Sequence, residues 1–356
     1  MNKVLSIVLP TYNRAEILKF TLSILVPQME EVLEDVELVI CNNASTDETK
    51  ETLIEFHDKY NYVKIINYEE HLDIGNSIAR SIANASGDYF LLWSDDDIPA
   101  PFMIKMYLNA IKNNSGVACV VGNRLVGETW PDGFGIKNLR VHGSEFTQGE
   151  VVYESSDAFV RQFAGAMGFL SVDLIRRDIW EKNKDLSKND CWGYEFLLPM
   201  LAGLKNEQCI YLSFPTCIQR FFVNPRYIDK WVTYAYIGMP RLLQRLETMG
   251  VITDWYDGFK KFKYNQSDID FINSVRGICW NNREIYIPLI DELLNYQKSS
   301  IRRFFIKSIQ RPKFMYVFYE LIYDLYRIML LINRVIKSFA GRMINKCKLS
   351  FLTPCP

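Results

Sequence analysis

Three consecutive aspartates, Asp95, Asp96 and Asp97, are the residues whose types and spacing first suggest chemistry. They directly follow an apolar, strand-like run of residues 89–93. Aspartate is disfavoured in strands and costly to bury unpaired, so three adjacent carboxylates repel one another unless a cation neutralises them. Hard oxygen ligands of this kind suit Mg²⁺ or Mn²⁺, whose other ligands are usually waters and substrate phosphates. On the triplet alone a solvated acidic turn is the simpler interpretation, and the order of the preceding elements decides against it.

Strand and helix patterns alternate through the first 125 residues and must position the triplet. Apolar runs predict strands at residues 4–9, 36–41, 63–66, 89–93 and 117–121, and helical periodicity predicts helices at 15–26, 48–60, 74–85 and from 101. This alternation predicts a parallel, doubly wound sheet. Ligands of such sheets bind beyond the carboxyl ends of the strands. Residues 11–13, 42–47 and 95–97 all follow predicted strands, so they are expected to meet at that edge.

The composition restricts the class of protein. The chain has 356 residues with 49% hydrophobic and 23% charged residues, which is typical of a folded globular protein. A net charge of -1 gives no bias toward nucleic acid. Eight cysteines lack zinc spacing and predict buried thiols in a reducing compartment. We find no secretory signal pattern and no apolar run long enough to span a bilayer, so a cytoplasmic, non-integral protein is expected.

The rest of the chain carries weaker signals. Residues 127–150 are rich in glycine and polar groups and predict a long loop of the kind that forms lids. Helices near 155–162 and 195–202 and a strand at 209–214 are predicted, and residues 226–300 are mainly helical and aromatic. We therefore expect a main domain at 1–225, with a nucleotide half (1–125) and an acceptor half (126–225). A helical extension (226–300) and a C-terminal tail (301–356) follow.

Basic residues dominate the tail. Eleven lysines and arginines are accompanied by two acids, Glu320 and Asp324, and are interleaved with aromatic and aliphatic residues at helical spacing. This pattern predicts an amphipathic helix lying on an anionic membrane surface. An ordinary helix that packs on the main domain and exposes a basic face is the alternative.

With these residues in place, the N-terminal part resembles a family 2 glycosyltransferase with the GT-A fold. The resemblance rests on three ordered stretches, residues 6–14, 37–49 and 75–97, each in the expected strand-turn-helix setting. It covers residues 1–125 well and is partial to about 225. It implies an α/β fold: a GT-A-type doubly wound, mostly parallel sheet flanked by helices, here with a helical C-terminal extension.

The resemblance also implies roles for individual residues. Those expected to bind the nucleotide are Pro10, Thr11, Tyr12 and Asn13 after the first strand, Asn42 and Asp47 around the base, and Asp95 near the ribose. Asp96 matches the carboxylate that binds Mn²⁺ or Mg²⁺, and Asp97 is a further carboxylate that assists. The cation would neutralise the diphosphate as the sugar–phosphate bond breaks.

Two departures from the family pattern affect the donor. The family usually has Asp where this chain has Asn42, and an Asn amide also donates a hydrogen bond, as the ring nitrogen of cytosine requires. The donor nucleotide therefore stays open among UDP, CDP and dTDP. Trp93 and Ser94 stand where many members have Asp and a small residue, and this variant resembles abequosyltransferases of O-antigen assembly.

An inverting transferase needs a general base for the acceptor hydroxyl. The family places an acid before a helix that follows the lid region, and here Glu195 is the first choice and Asp190 the second. Glu195 as a simple helix N-terminal acid is the alternative. Arg220 is a candidate for steadying the diphosphate, although an exposed surface arginine is the favoured interpretation.

The resemblance thus implies an inverting, metal-dependent glycosyltransferase that moves a sugar from a nucleotide donor to a glycan or lipid-linked acceptor in surface polysaccharide synthesis. It would act at the inner face of the cytoplasmic membrane. One alternative, a sugar-1-phosphate nucleotidyltransferase, normally carries a basic glycine-rich loop after the first strand, where this chain has residues 10–13. The other, a non-catalytic glycan- or membrane-binding protein, is disfavoured by the intact acidic triplet.

Overall fold

A computed structural model describes residues 3–129, 136–142, 149–188, 192–221, 228–262 and 267–332. The chain divides into two compact units, Met1–Asn265 (unit 1) and Gln266–Pro356 (unit 2), and each is treated by itself. Residues 228–262 belong to unit 1.

Unit 1 is built on one mixed sheet. Its strands are β1 (Leu5–Thr11), β2 (Val36–Asn42), β3 (Val63–Asn67), β4 (Tyr89–Leu92), β5 (Ile98–Pro99), β6 (Cys119–Thr129), β7 (Ile136–His142), β8 (Glu150–Tyr153), β9 (Asp173–Arg176) and β10 (Cys209–Phe221). The strand order is β3-β2-β1-β4-β9-β6-β10-β5, with β7 on β6 and β8 on β10. The α/β class predicted from the sequence is confirmed.

The predicted parallel half is the β3-β2-β1-β4 segment. Three helices connect its strands: α1 (Ala15–Met29), α2 (Thr49–Lys59) and α3 (Ile74–Ile82). The central strand β1 is apolar and buried along most of its length, as expected for a strand covered on both faces. In the register of the sheet, Thr11 lies opposite Asn42, and Asn42 lies opposite Asn67. The polar ends of three strands are therefore aligned in one row.

The other half of the sheet departs from a simple parallel order. β9 runs antiparallel to both β4 and β6, whereas β6 and β10 are parallel to each other. The prediction of a long loop at 127–150 is wrong in part, because β6 reaches Thr129 and pairs with β7. A Cβ atom at Gly127 would meet the Ile136 side chain at 2.1 Å, so the glycine that suggests a loop instead allows two strands to approach.

Helices cover the sheet and complete unit 1. They are α4 (Met103–Asn113), α5 (Ser156–Met167), α6 (Arg177–Asn183), α7 (Leu197–Ala202), α8 (Trp231–Thr233), α9 (Met239–Thr248) and α10 (Trp255–Lys261), with a π-helical turn at Tyr234–Gly238. The helix predicted at 195–202 begins at Leu197, so Glu195 lies in the turn before it.

Unit 2 is helical over its described residues. Its helices are α11 (Asp268–Ser274), α12 (Arg283–Tyr286), α13 (Ile290–Tyr296) and α14 (Ser300–Ser308), followed by a helix over residues 316–332. Across the parts of the chain that the structure describes, every helix falls short of the length and apolar character of a bilayer-spanning segment.

Candidate functional site

The carboxyl ends of β1 and β4 meet as the sequence predicts. Thr11 ends β1, and its hydroxyl donates a hydrogen bond to Asp95 Oδ2 at 2.7 Å. Both residues are buried. This contact joins two of the predicted stretches, which are far apart in sequence, at one edge of the sheet.

Asp96 is the most accessible carboxylate of the triplet, and several groups hold it. Its Oδ2 lies 2.8 Å from the Arg14 guanidinium, and its Oδ1 accepts a hydrogen bond from the Ser94 hydroxyl at 2.6 Å. Its backbone carbonyl accepts a hydrogen bond from Arg220 Nε. The side chains of Arg14 and Asp96 are 17% and 19% exposed, so solvent still reaches the pair.

Asp97 points into the interior. It is 1% exposed, and its Oδ2 accepts a hydrogen bond of 2.6 Å from Ser171, a residue in the turn before β9. Burial first, and then the neighbouring Asp96 charge, raise the pKa of Asp97 well above its usual value. Ser171 also accepts a hydrogen bond from the Ser94 backbone at 2.9 Å, so this serine fastens the triplet from beneath.

Arg220 lies near the end of β10 and is 4% exposed, so the prediction of an exposed surface arginine is wrong. Besides the Asp96 carbonyl it contacts the Thr21 hydroxyl at 3.3 Å and lies over the Phe20 ring at 5.1 Å. Burial lowers its pKa, while the charges of Asp96, Asp97 and Asp95 oppose that shift. The strand predicted at 209–214 extends to Phe221, which is why Arg220 is carried under the triplet.

The loops after β1 and β2 are bound to each other. The Asn13 carboxamide oxygen accepts a hydrogen bond from the Thr46 backbone at 2.7 Å, and the Asn13 backbone donates to Ser45 Oγ at 2.9 Å. Asn13 has a φ of 50° and Ala44 one of 61°, so both loops turn through left-handed backbone. These contacts fix the edge at which the predicted nucleotide residues lie.

Asp47 links the starts of two helices. It accepts hydrogen bonds from the Thr49 backbone at 3.0 Å and from the Ala15 backbone at 3.4 Å. Burial acts to raise the pKa of Asp47, but a hydrogen bond from the Thr49 hydroxyl and the two backbone hydrogen bonds together lower it below the usual value. Asp47 therefore stays ionised and stabilises the N-termini of α1 and α2.

Asn42 is buried, and its amide is held at both ends. Its nitrogen donates to Asn67 Oδ1 at 2.9 Å, and its oxygen accepts from the Ser45 backbone at 3.0 Å. An amide nitrogen carries two hydrogens, and the hydrogen bond to Asn67 uses one of those of Asn42. Asn67 follows an ordinary apolar strand, and its part in this row became visible only through the strand register.

Further residues shape the edge beside the Asn42 row. The Tyr12 and His71 rings lie 4.1 Å apart. The Asn43 carboxamide oxygen accepts hydrogen bonds from Arg80 at 2.7 Å and from the Leu72 backbone at 3.1 Å. Pro10 pairs with Cys41 inside the sheet. Tyr12 thus packs against His71, and its role in packing on a base stays a prediction.

Glu195 also reaches the carboxyl edge of the sheet. A Cβ atom on Gly75 would lie 2.1 Å from Glu195 Oε2, so the carboxylate packs directly on the first turn of α3. This helix follows β3, so its N-terminus is at the edge where β3 ends. Trp192 and Gly193 have φ values of 51° and 93°, and the Gly193 backbone donates to Glu195 Oε1 at 3.1 Å. Asp190 lies outside the described residues.

The triplet suits a cation at one carboxylate. Over the described ranges, His, Cys, Asp and Glu side chains do not form a group of three or more placed to enclose a metal ion. Asp96 is a partly exposed hard oxygen ligand that fits Mg²⁺ or Mn²⁺. Such a site would need waters and substrate phosphates as its other ligands. Asp97 is turned toward Ser171 and supports the triplet from the interior.

Comparison with known proteins finds sequence matches to the N-terminal part of the chain. The model of the family described as Glycosyl transferase family 2 matches residues 6–178. A dolichol-phosphate mannosyltransferase of Pyrococcus furiosus is 32% identical over 132 residues, which are 35% of this chain and 36% of that protein. The chain thus spans about a third of that relative's length. The abequosyltransferase RfbV of Salmonella typhimurium is 24% identical over 228 residues, 61% of this chain and 66% of that protein.

Among solved structures, TarS of S. aureus in complex with UDP-GlcNAc superposes with a TM-score of 0.55. The identity is 14%, and the match covers 76% of this chain and 72% of that chain. At this identity the likeness concerns the fold, and it confirms the GT-A-type architecture predicted from the sequence.

Proposed function

We propose that this protein transfers one sugar from a nucleotide donor to a glycan or lipid-linked acceptor, because the model of the family described as Glycosyl transferase family 2 matches residues 6–178. The observation that carries the proposal is the edge where β1, β2, β3 and β4 end. That edge carries the Thr11–Asp95 hydrogen bond, the Asn42–Asn67 hydrogen bond and the Asp96 carboxylate. A nucleotidyltransferase normally carries a basic glycine-rich loop after its first strand. This chain has residues 10–13 there, which disfavours that alternative.

The donor's nucleoside is assigned to the edge formed by Thr11, Tyr12, Asn42 and Asp95. Tyr12 offers a ring for the base, and Asp95 offers a carboxylate for ribose hydroxyls. Asn42 is held through one N–H and its oxygen, so its second N–H can donate to a base. That donor would suit an acceptor atom such as a cytosine ring nitrogen, which keeps CDP in the set with UDP and dTDP.

Asp96 is proposed to hold Mn²⁺ or Mg²⁺. The ion, when bound, would neutralise charge on the diphosphate so that the nucleotide is a better leaving group. Asp96 suits the role because its carboxylate is partly exposed and its backbone is fastened by Arg220. Asp97, which the sequence pairs with Asp96 as a ligand, is proposed to assist through the Ser171 hydrogen bond.

Glu195 is proposed as the general base of an inverting reaction. The acceptor oxygen would form its bond to the anomeric carbon while the bond from that carbon to the phosphate oxygen breaks. The acceptor proton would pass to the Glu195 carboxylate, and the nucleotide would leave as an anion. The left-handed turn at Trp192 and Gly193 supports this role because it fixes the carboxylate against α3. Asp190 remains the second candidate.

An anionic membrane surface is the proposed partner of the C-terminal tail. In the helix over residues 316–332, Tyr319 and Tyr323 are buried within unit 2. The opposite side exposes an apolar stripe, which consists of Phe314, Val317, Phe318, Leu321, Leu325, Ile328 and Ile332. With the basic sequence of residues 301–356, this stripe suits a helix that lies at the headgroup boundary. The protein would then meet lipid-linked acceptors of surface polysaccharide synthesis at the inner face of the cytoplasmic membrane.

Calorimetry of the full chain with UDP, CDP, GDP and dTDP, with and without Mn²⁺, tests the donor site. We expect one nucleotide to bind in a metal-dependent manner. Asp96→Asn should remove the metal dependence, whereas Asp35→Asn, a carboxylate paired with Lys112 before β2, should not. If none of the four nucleotides binds, the transferase proposal fails and a non-catalytic binding protein is favoured.

A further inference from the structure

The Arg14–Asp96 ion pair occupies the position that the proposed cation needs. One Asp96 oxygen contacts Arg14 at 2.8 Å, and the other accepts the Ser94 hydrogen bond at 2.6 Å. A guanidinium and a divalent ion compete for the same carboxylate lone pairs, and both neutralise its charge. Arg14 therefore contributes positive charge in direct contact with this carboxylate.

The backbone of Arg14 is held while its side chain reaches solvent. The Arg14 N–H donates to Thr49 Oγ1 at 3.0 Å, and Arg14 is the residue that precedes the first turn of α1. The carboxylate of Asp96 is steadied independently, through Ser94 and through the Arg220 contact with its carbonyl. A change of partner at Asp96 therefore requires rotation of one long side chain and no movement of either loop.

Arg220 gives a contrast within the same site. It is 4% exposed and contacts backbone and hydroxyl oxygens, whereas Arg14 is 17% exposed at its side chain and contacts a carboxylate. Solvent still reaches the Arg14–Asp96 pair, so another cation can approach the Asp96 carboxylate and take the place of Arg14. Arg220 is thus the fixed cation of the triplet and Arg14 the exchangeable one.

We propose that Arg14 is a built-in counter-ion of Asp96 that the donor's divalent cation displaces, and that the released guanidinium then pairs with the donor diphosphate. This inference rests on the proposed function, because it assumes a nucleotide diphosphate at this edge. Arginine binds phosphate oxygens through two parallel hydrogen bonds, so it keeps a strong partner after the exchange. The exchange suppresses metal binding without a donor and favours metal and donor binding together.

Two binding measurements on Arg14→Gln test the exchange. Mn²⁺ affinity without nucleotide, followed by the electron paramagnetic resonance signal of free Mn²⁺, should rise about tenfold because the competing cation is gone. Affinity for the nucleoside diphosphate that the wild type binds, measured at saturating Mn²⁺, should fall about tenfold because the diphosphate loses its arginine. Arg14→Lys keeps a cation and should lie between. Lys112→Gln, in α4, removes the positive charge that pairs with Asp35 and should change neither affinity.

The opposite signs of the two changes distinguish an exchangeable counter-ion from a structural ion pair. If Arg14→Gln leaves Mn²⁺ affinity unchanged or lowers it while nucleotide binding persists, the exchange is overturned and the proposed function stands. If the wild type binds none of the four nucleotides, the proposed function and the exchange fail together. Circular dichroism of each variant separates these outcomes from misfolding, since unfolded Arg14→Gln would make Arg14→Lys the deciding comparison.

Discussion

Replacing Arg220 by methionine removes a buried cation while keeping a long, unbranched side chain. The hydrogen bonds to the Asp96 carbonyl and to the Thr21 hydroxyl disappear, as does the cation–π contact with the Phe20 ring. The carboxylates of Asp95, Asp96 and Asp97 also lose a positive neighbour, so keeping them ionised becomes more costly. A hydrogen bond from a charged donor contributes about 1.5–3 kcal/mol, and breaking a buried charge cluster costs about 3–5 kcal/mol.

We therefore expect Arg220→Met to lower the free energy of unfolding of unit 1 by about 3 kcal/mol. For a domain of this size, 1 kcal/mol corresponds to about 2–4 °C in Tm, so the midpoint should fall by about 6–12 °C. Differential scanning calorimetry measures the shift, and nucleotide titration with Mn²⁺ should show weaker binding at a temperature where the variant is folded. Arg220→Lys retains the charge and should lose less of both. A Tm within about 2 °C of the wild type, with unchanged nucleotide affinity, would refute the role assigned to Arg220.

Three more predictions concern separate parts of the chain. Glu195→Gln should abolish transfer in a product assay yet keep nucleotide binding, whereas Glu181→Gln, at an exposed site, should leave both transfer and binding unchanged. If Glu195→Gln still transfers sugar, Asp190 becomes the candidate base. Burial raises the pKa of Asp173 in the folded state. The free energy of unfolding of the wild type should therefore fall as pH rises above the unfolded pKa of about 4. Asp173→Asn lacks this titration, so its free energy of unfolding should rise relative to that of the wild type by up to about 1.4 kcal/mol per pH unit. Equal pH slopes for the two proteins in urea unfolding would contradict this. Leu321→Glu with Leu325→Glu should release the protein from anionic vesicles in a sedimentation assay, whereas Ile54→Glu on α2 should not; if both bind vesicles equally, the stripe has another partner.

The parallel half of the fold could be predicted from the sequence because its signals are local. Each strand of the β3-β2-β1-β4 segment is a short, mostly apolar run followed by a polar turn. The side chains of β1, β2 and β4 are almost all buried, whereas β3, at the edge of the sheet, is buried only at Val63. The same locality placed Thr11, Asn42 and Asp95 at one edge. Thr11 and Asp95 indeed share a hydrogen bond.

The other half depends on contacts between distant segments, which a local pattern does not contain. Taken alone, Gly127 favours a loop. In the structure its missing side chain makes room for Ile136 where β6 and β7 pair, and this contact is not visible in the local sequence. Ser171 has an ordinary apolar context, and its role follows from a partner, Asp97, on another element. Arg220 was assigned to the surface because a charged residue after a strand usually is exposed. The extension of β10 to Phe221, paired with β6, is what buries it.

The contact between Glu195 and Gly75 has a consequence for the order in which the folding protein would gain nucleotide binding and the proposed sugar transfer. The nucleotide edge uses residues of the first hundred, and its strand pairings are parallel and lie within that part of the chain. The position of Glu195 depends on two contacts between more distant segments, the pairing of β9 with β4 and the packing of the turn before α7 on α3. Contacts between distant segments form slowly. On refolding from denaturant, nucleotide binding should therefore return before catalytic turnover, with a lag between the two that reports the docking of the second half of unit 1.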